Sequence, residues 1–331
     1  MDILLNIITH PALEPWLILC AVVCFERIWP LPTRVDPMSF VRFLGERMAS
    51  RVKPKASAPN SQHVISGALA AFMIIAPNLV ILIIFREFVY YPALFDACIL
   101  YICLQFSSHL QRSQQIKKAQ ILEKKSLSKS LLAPMVLRET DMLSEVGVTK
   151  ATVEGLLLRF HYQSIVTWFW FILLGPFTAL TYRVCYELHH SWNTKLPQYE
   201  YFGKAVAKFV FILQWLPIRL SAFISVFIAR GVRIVTYIRQ HRIARSISET
   251  QGAIVLRACH YALDINLSGP LFYRNTKHSD ANKYRRTKYI GKGEPRAIVI
   301  SNTIALINRI SVVFLLLLLL FCLALHTAIT Y

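Results

Sequence analysis

Residues 64–85, VISGALAAFMIIAPNLVILIIF, form a run of 22 residues without a charged side chain. At roughly 1.5 Å per residue, a helix of this length is about 30 Å long, which matches the hydrocarbon core of a bilayer. Water cannot satisfy backbone polar groups inside that core, so the chain must form its own hydrogen bonds there. The run therefore predicts a membrane-spanning helix and indicates that lipid surrounds much of the protein.

Five further apolar runs are candidate spans, at 3–25, 88–106, 164–182, 205–229 and 310–328. Prolines and charged residues interrupt the first and the fourth of these, for which a re-entrant or interfacial helix is the alternative. Hydrophobic residues make up 55% of the chain, which agrees with many spans. We predict an all-α fold, a polytopic membrane helical bundle of about six spans with cytoplasmic amphipathic helices. All 331 residues are expected in a single integral-membrane domain.

Basic residues are concentrated between the predicted spans. Of the 37 Lys and Arg residues, 30 lie in the segments 26–63, 107–150 and 230–309. Loops that stay in the cytoplasm collect Lys and Arg. We therefore predict cytoplasmic loops at 26–63, 107–163 and 230–303, periplasmic termini, and a location in the bacterial inner (cytoplasmic) membrane.

The excess of basic over acidic residues, 37 against 18, also bears on partners. Basic loops beside apolar spans attract anionic headgroups. Segment 107–132 has apolar residues spaced as in an amphipathic helix lying on such a surface. Membrane lipids are thus the expected partners, a protein partner or a homo-oligomer is left open, and no nucleic acid is expected. The seven cysteines include no zinc-type pair, so no metal site is predicted from them.

Several segments carry recognisable motifs: VLRETDMLSEVGVTKATVE (136–154), GPFTALTYR (175–183), FGKAVAKFVFILQWLPIRLSA (202–222) and ALDINLSGPLFY (262–273). In order and spacing they resemble the CobD/CbiB family of adenosylcobinamide-phosphate synthases in cobalamin biosynthesis. DPMSFVRFLG (36–45) is a fainter match. The resemblance implies an ATP-dependent ligase that joins a corrinoid carboxylate to an amino-alcohol phosphate. Such chemistry needs carboxylates for magnesium and donors for phosphate oxygens.

Nine residues of these motifs are candidate binding residues at the cytoplasmic face: Arg138, Thr140, Glu154, Tyr182, Arg183, Arg219, Gly269, Pro270 and Tyr273. The functional interpretation is a residual anion or ligand pocket with arginine donors. The structural alternative is that Arg138 pairs with Glu154 to hold a helix hairpin, that Arg183 anchors a span, and that Gly269-Pro270 is only a turn. In either case we expect Arg138 and Glu154 to pair, because a charge left alone in a partly dry site is costly.

The chain also departs from the family pattern where that pattern has acidic residues, at Leu158, Tyr162, His189, Val210 and Phe211. The side chains of leucine, valine and phenylalanine cannot bind magnesium. The favoured hypothesis is therefore a non-catalytic relative with a regulatory or signalling role. It would resemble the AmpE-like branch, linked to cell-wall signalling and β-lactamase induction, and would have no catalytic residue, cofactor or metal. The alternative is an active synthase that uses ATP and magnesium.

The topology can be tested by accessibility of single cysteines on a cysteine-free background. We expect a cysteine introduced at Ser279, in the predicted 230–303 loop, to react only after the inner membrane is made permeable, because basic loops stay in the cytoplasm. Labelling of this cysteine in intact cells by an impermeant reagent that reaches the periplasm would contradict the predicted orientation.

Overall fold

The computed structural model describes residues 13–32, 36–55, 57–136, 139–231, 250–269, 271–273, 282–284, 288–291 and 293–330. Helices account for most of these residues, and the strands among them are only two or three residues long. The predicted all-α, membrane-like fold is therefore confirmed.

The helices of the first half are α1 (Glu14–Ile28), α2 (Pro37–Val52), α3 (Asn60–Glu87), α4 (Pro92–Cys103), α5 (Phe106–Ile121), α6 (Lys125–Leu132) and α7 (Glu145–Arg159). A π-helix (Phe160–Ile165) leads into α8 (Val166–Leu174), α9 (Pro176–Ser191), α10 (Lys204–Arg230), α11 (Gln251–Leu263) and α12 (Ile298–Thr330). Short 3₁₀ turns occupy Ala133–Met135 and Pro197–Tyr199. The strands are β1 (Leu267–Ser268), β2 (Leu271–Tyr273), β3 (Asn282–Tyr284) and β4 (Lys288–Tyr289).

Four helices of the described residues are long and apolar enough to cross a membrane: Asn60–Glu87, Pro92–Ile121, Lys204–Ala229 and Ile298–Ala328. They overlap the predicted second, third, fifth and sixth spans, and the range Pro92–Ile121 includes both α4 and α5. Large apolar side chains of α3, including Leu69, Phe72 and Ile81, are exposed. A water-soluble protein rarely exposes so much contiguous apolar surface, so this surface fits contact with lipid.

The predicted spans 3–25 and 164–182 are not among these four helices. Most of the described residues of segment 3–25 lie in α1. The second is divided at Gly175, whose φ of +85° lies in the region that glycine adopts most readily, and Pro176 then begins α9. A total of six spans stays a prediction.

The described chain divides into two compact units, and each is described by itself. The first unit comprises residues 1–105, 166–217 and 315–331, so far as they are described. In it α9 packs against α2, α3, α4 and α8. Buried Met38, Ile99 and Cys103 form an apolar cluster where α2 meets α4. This arrangement places α9, which carries Tyr182 and Arg183, in the interior of the first unit.

A stripe of small residues brings α3 close to a neighbouring segment. The buried residues of α3 recur at helical spacing and are Gly67, Ala70, Ala71 and the larger Ile74. An added Cβ at Gly67 would lie 1.9 Å from the carbonyl oxygen of Phe202, which is far inside van der Waals contact. Small residues of this kind let backbones approach closely in membrane proteins. Packing of α3 therefore depends on the missing side chain at position 67.

The second unit comprises residues 106–165 and 218–314, so far as they are described. In it α7 packs against α5, α6, α11 and β1. Ser144 caps α7, because its side chain accepts a hydrogen bond from the Gly147 amide. The buried face of α7 includes Val153, Leu156 and Leu157. This helix carries Glu154 into the interior of the second unit.

Two short antiparallel ribbons follow α11. Strand β1 pairs with β4, with Ser268 opposite Lys288, and β2 pairs with β3. Helix α11 ends at Leu263, and its C-cap residue Asp264 has a left-handed φ of +55°. The amide of Gly291 then donates to Asn266 Oδ1 at 2.7 Å. These contacts turn the chain sharply after α11 and bring β1 to α7.

Segment 107–132, predicted as one amphipathic helix, belongs to the two helices α5 and α6. Leu110 and Ile116 are buried in the protein, whereas Ile121, Leu122 and Leu127 are exposed. Its position on the lipid surface stays a prediction.

The close contact at Gly67 leads to a test with a matched control. Gly67→Ala should lower the stability of the protein, because Phe202 would have to move away from α3. Gly155→Ala is the control, since its Cβ would meet neighbours only at 3.8 Å or more, and alanine is favoured over glycine inside a helix by up to about 1 kcal/mol. We expect thermal unfolding in detergent to show a lower midpoint for Gly67→Ala and an equal or higher one for Gly155→Ala. Equal midpoints for both variants would contradict this account.

Candidate functional site

The second unit buries the Glu154 carboxylate against a loop that follows 114 residues later in the chain. Glu154 Oε1 accepts a hydrogen bond of 2.7 Å from the Ser268 amide, and this bond is buried. Glu154 is 4% exposed and Ser268 is 5% exposed. An ionised acceptor makes such a bond stronger than one between neutral groups. The contact joins α7 to β1, and therefore joins two of the segments on which the family resemblance rests.

The loop at Ser268 has an unusual backbone conformation. Ser268 has a φ of +62° and Gly269 a φ of +111°. A residue other than glycine in the left-handed region is strained by about 1–3 kcal/mol, and such strain is concentrated at functional sites. The bond from the Ser268 amide to Glu154 is one contact that holds this conformation.

Lys150 lies one helical turn before Glu154 and approaches the same loop. A Cβ added at Gly269 would be 3.6 Å from Lys150 Nζ. Residues four apart share one face of a helix. An ammonium, a carboxylate and a strained loop therefore meet on one face of α7.

A second polar group of this unit lies at the start of α11. Arg219 Nη1 donates to Gln251 Oε1 at 3.1 Å. Gly252 follows, and a Cβ there would lie 3.0 Å from the Tyr162 hydroxyl. The guanidinium, the amide and the phenol thus come from α10, α11 and the π-helix.

The π-helix also holds a buried histidine. His161 is fully buried, and its Nδ1 lies 2.8 Å from the Leu157 carbonyl, so Nδ1 carries the proton. Burial lowers the pKa of His161 to about 4, although the bond to Leu157 opposes this shift. His161 is consequently neutral near pH 7, and its Nε2 has no hydrogen-bond partner within the described part of the chain. π-helices are frequent at functional sites.

Thr140 is also in the second unit. It is 8% exposed, and its carbonyl accepts the Leu143 amide at 3.1 Å in the turn that precedes α7. Arg138 and Pro270 lie outside the described residues, as does the side chain of Tyr273, whose backbone belongs to β2. The pairing of Arg138 with Glu154 therefore stays a prediction.

Tyr182 and Arg183 belong to the first unit, where they are buried among other polar groups. Arg183 is fully buried, its Nε donates to the Cys103 carbonyl at 2.8 Å, and its Nη2 lies 3.0 Å from Glu187 Oε1. The Tyr182 hydroxyl accepts a hydrogen bond from Gln214 Nε2 at 3.0 Å. Arg183 therefore has a carboxylate partner one turn away on α9.

The carboxylate of Glu187 extends this network to α2. Its Oε2 lies 3.4 Å from Arg42 Nη1, and Arg42 Nη2 lies 3.3 Å from Asp36 Oδ2. Gln105 donates to the other oxygen of Asp36. Two arginines and two carboxylates thus balance in charge while linking α2 to α9, and the Gln105 amide joins them at Asp36.

The six predicted residues other than Arg138, Pro270 and Tyr273 fall into two sets. Thr140, Glu154, Arg219 and Gly269 lie in the second unit, whereas Tyr182 and Arg183 lie in the first. A single pocket that contains them all stays a prediction.

Three further residues with polar contacts are not singled out by the motifs: Ser268, Gln251 and Arg42. Ser268 acts through its backbone amide, which no residue type reveals. Arg42 lies in the fainter match 36–45, Gln251 lies outside the matched segments, and the long-range polar contacts of both depend on the fold.

Clusters of potential metal ligands were sought among the described residues. No three His, Cys, Asp or Glu side chains converge anywhere in the part of the chain that the structure describes. One oxygen of Glu154, the buried candidate carboxylate, already accepts the Ser268 amide.

Residues 19–307 match the family described as CobD/Cbib protein. The chain belongs to this family. The match spans α7, α11 and the loop at Ser268, so it includes the polar groups of the second unit. No solved structure matches the chain.

Curated proteins of the family are similar to the chain. Cobalamin biosynthesis protein CobD of Chromobacterium violaceum is 29% identical over 209 residues, 62% of this chain and 67% of that protein. Cobalamin biosynthesis protein CobD of Stutzerimonas stutzeri is 28% identical over 148 residues, 45% and 48% of the two chains. The protein named probable cobalamin biosynthesis protein CobD in Pyrococcus furiosus is 28% identical over 153 residues, 46% and 50%. The alignments thus span about half the length of the last two relatives.

These relatives overturn the favoured functional hypothesis. They are named for cobalamin biosynthesis, and none of these names supports an AmpE-like regulatory role, so the non-catalytic regulator was the wrong choice and the synthase alternative is the better supported one. The physical reason lies in the weight given to single positions. Two acids of the family pattern are absent at Leu158 and Val210. The buried Glu154 carboxylate and the strained loop that it binds are nevertheless present.

The buried pair of the first unit gives a prediction about stability. Glu187→Leu should destabilise the protein by about 3–5 kcal/mol, because it leaves the buried Arg183 guanidinium without its carboxylate. The double variant Arg183→Met with Glu187→Leu should recover part of this loss, since it buries no unpaired charge. Glu145→Leu, which removes the exposed ion pair with Lys125, should cost less than about 1 kcal/mol.

Unfolding of the purified variants by denaturant in detergent measures these differences. If the two substitutions lower the free energy of unfolding additively, so that the double variant is less stable than Glu187→Leu, the buried-pair account is contradicted.

Proposed function

We propose that this chain is an adenosylcobinamide-phosphate synthase of cobalamin biosynthesis. The reaction joins a corrinoid carboxylate to the amine of an amino-alcohol phosphate and uses ATP. The single observation that carries the proposal is the buried hydrogen bond from the Ser268 amide to Glu154. It brings together the two motif segments 136–154 and 262–273, which lie far apart in the sequence.

The arrangement around this bond suits the chemistry of amide ligation. Negative charge develops on phosphoryl and carbonyl oxygens during such a reaction, and preorganised donors stabilise it. Lys150 supplies a cation beside Gly269, and the φ of +111° at Gly269 turns the backbone in a way that glycine readily adopts. The loop is held to α7 at Ser268.

We assign Glu154 as a positioning residue. Its carboxylate contacts the Ser268 backbone, so it acts through the loop by keeping Gly269 beside Lys150. This role requires an acceptor at the position of Oε1. It does not require that Glu154 itself exchange a proton with substrate.

The location belongs to the same proposal. Four apolar helices and the basic loops support placement in the bacterial inner membrane with lipids as partners. A second copy of the same chain or another protein is the other partner that we propose. No nucleic acid enters this function.

Glu154→Ala should reduce the rate of ligation by at least about a hundredfold, because misplacement of reacting groups by about 1 Å has effects of this size. Glu154→Gln should retain a larger share of the activity, since the amide oxygen can still accept the Ser268 amide. Glu145→Ala, on the same helix but exposed, is the matched control and should leave the rate unchanged.

The assay follows product formation from adenosylcobyric acid, an amino-alcohol phosphate, ATP and magnesium with protein purified in detergent. Rescue of a strain that lacks its own synthase is the measurement in cells. Absence of product above a no-enzyme control, together with failure to rescue, would overturn the proposed function. Equal rates for Glu154→Ala and the wild type would overturn the role of Glu154.

A further inference from the structure

The first turn of α11 has the properties of an anion-binding helix N-terminus. Thr250 caps the helix, and its hydroxyl accepts the Ala253 amide at 3.3 Å. The first amides of any helix have no carbonyl partner within the helix, and the helix dipole makes this end positive. In α11 the amides ahead of Ala253 are those of Gln251 and Gly252. Such a terminus attracts phosphate groups when other donors join it.

Gln251 supplies an independent observation that points to a ligand. The residue is only 4% exposed, and its Oε1 accepts the bond from Arg219 Nη1. Its Nε2 has no hydrogen-bond partner among the residues that the structure describes. The bond from Arg219 fixes which end of the amide is the oxygen, so Nε2 is the remaining donor. A buried donor without an acceptor is costly, and it therefore indicates an acceptor supplied from outside the described chain.

Arg219 contributes a positive charge at the same place. It lies within Lys204–Ala229, one of the helices apolar enough to cross a membrane. A charged residue in such a helix is expensive and by default a candidate for function. Its guanidinium can donate several hydrogen bonds in fixed directions, and one of these bonds is made to Gln251.

The space beside the first turn depends on Gly252. A Cβ at this position would lie 3.0 Å from the Tyr162 hydroxyl and 3.4 Å from Leu158 Cδ2. The glycine thus allows the Tyr162 hydroxyl to approach the helix terminus. Tyr162 stands where the family pattern has an acid, and a phenol does not repel an anion as a carboxylate would.

We propose that the first turn of α11 binds a phosphate group through Arg219, Gln251 Nε2 and the first amides of the helix. A phosphate has three terminal oxygens to share among these donors, and a charged acceptor forms strong bonds with each. The site deepens the proposed ligation by giving a place to a phosphate group of one substrate. It rests on that function for the identity of the ligand. The same chemistry is offered by a soluble phosphate ester and by a phospholipid headgroup.

Gln251→Glu is the sharpest test. The glutamate keeps the size of the side chain and an oxygen acceptor for Arg219, so the fold should persist, while the donor Nε2 becomes a second carboxylate oxygen that repels an anion. The matched control is Gln120→Glu in the same unit. Gln120 Nε2 already donates to the Glu145 carbonyl at 3.0 Å, and its Oε1 accepts from Thr149. Thermal melting of each variant checks the fold.

Binding is measured by calorimetry on protein in nanodiscs of phosphatidylcholine, with inorganic phosphate, pyrophosphate and an amino-alcohol phosphate as probes. We expect at least one of these probes to bind the wild type and the Gln120→Glu protein equally. We expect its affinity for Gln251→Glu to be at least about tenfold weaker, since a bond to a charged group has been lost. In a second arm, protein in nanodiscs that contain phosphatidylglycerol is analysed for retained anionic lipid.

Binding of a soluble probe that requires Gln251 identifies a soluble phosphate ester as the ligand. Retention of phosphatidylglycerol that is lost in Gln251→Glu, without binding of a soluble probe, identifies a lipid headgroup. Equal behaviour of wild type and Gln251→Glu in both arms would overturn the phosphate site, as would the absence of binding in both. A wild type that binds phosphate but forms no ligation product would refute the proposed function alone. Normal ligation with an unchanged KM in Gln251→Glu would refute the phosphate site alone.

Discussion

Burial of charge in a largely apolar protein is the constraint on which the rest of this structure depends. An isolated charge in a medium of low polarity is so costly that each buried ion requires a partner. Arg183 meets this requirement with Glu187 and the Cys103 carbonyl, and Glu154 meets it with the Ser268 amide. In both cases the partner selects which segments must lie together. The polar contacts therefore specify the packing of helices whose apolar surfaces would tolerate other arrangements.

The two buried clusters do different work. The cluster of Arg183, Glu187, Arg42 and Asp36 balances its charges internally and connects helices of the first unit. The groups of the second unit instead include a strained loop, a lysine beside it, and the buried amide of Gln251, whose Nε2 has no acceptor among the described residues. The first arrangement is that of a structural core. The second arrangement, with its strained loop, is suited to holding a ligand.

Hydropathy alone predicted the strongest spans, such as 64–85 and 310–328. In lipid, a single apolar run of this length can satisfy its backbone hydrogen bonds by forming a helix. It could not predict the division at Gly175, which follows from a backbone torsion. The family resemblance selected Glu154 and Arg219, but the partners of these residues depend on the tertiary structure. Glu154 is bonded to the main-chain amide of Ser268, and Arg219 is bonded to the buried side chain of Gln251. The functional error had a similar origin. The missing acids change single positions, whereas function depends on which remaining polar groups the fold brings together.

The contact at Gly67 also bears on how this protein can change over time. Most large apolar side chains of α3 face outward, where leucine, isoleucine, valine and phenylalanine are nearly equivalent to lipid. Mutations among them would accumulate with little selection. At position 67 the Phe202 carbonyl occupies the place of any Cβ, so a single exchange there would need a compensating shift in another segment. Within one helix, the rate of amino-acid substitution should therefore differ sharply between the lipid-facing positions and the few positions where two backbones are in contact.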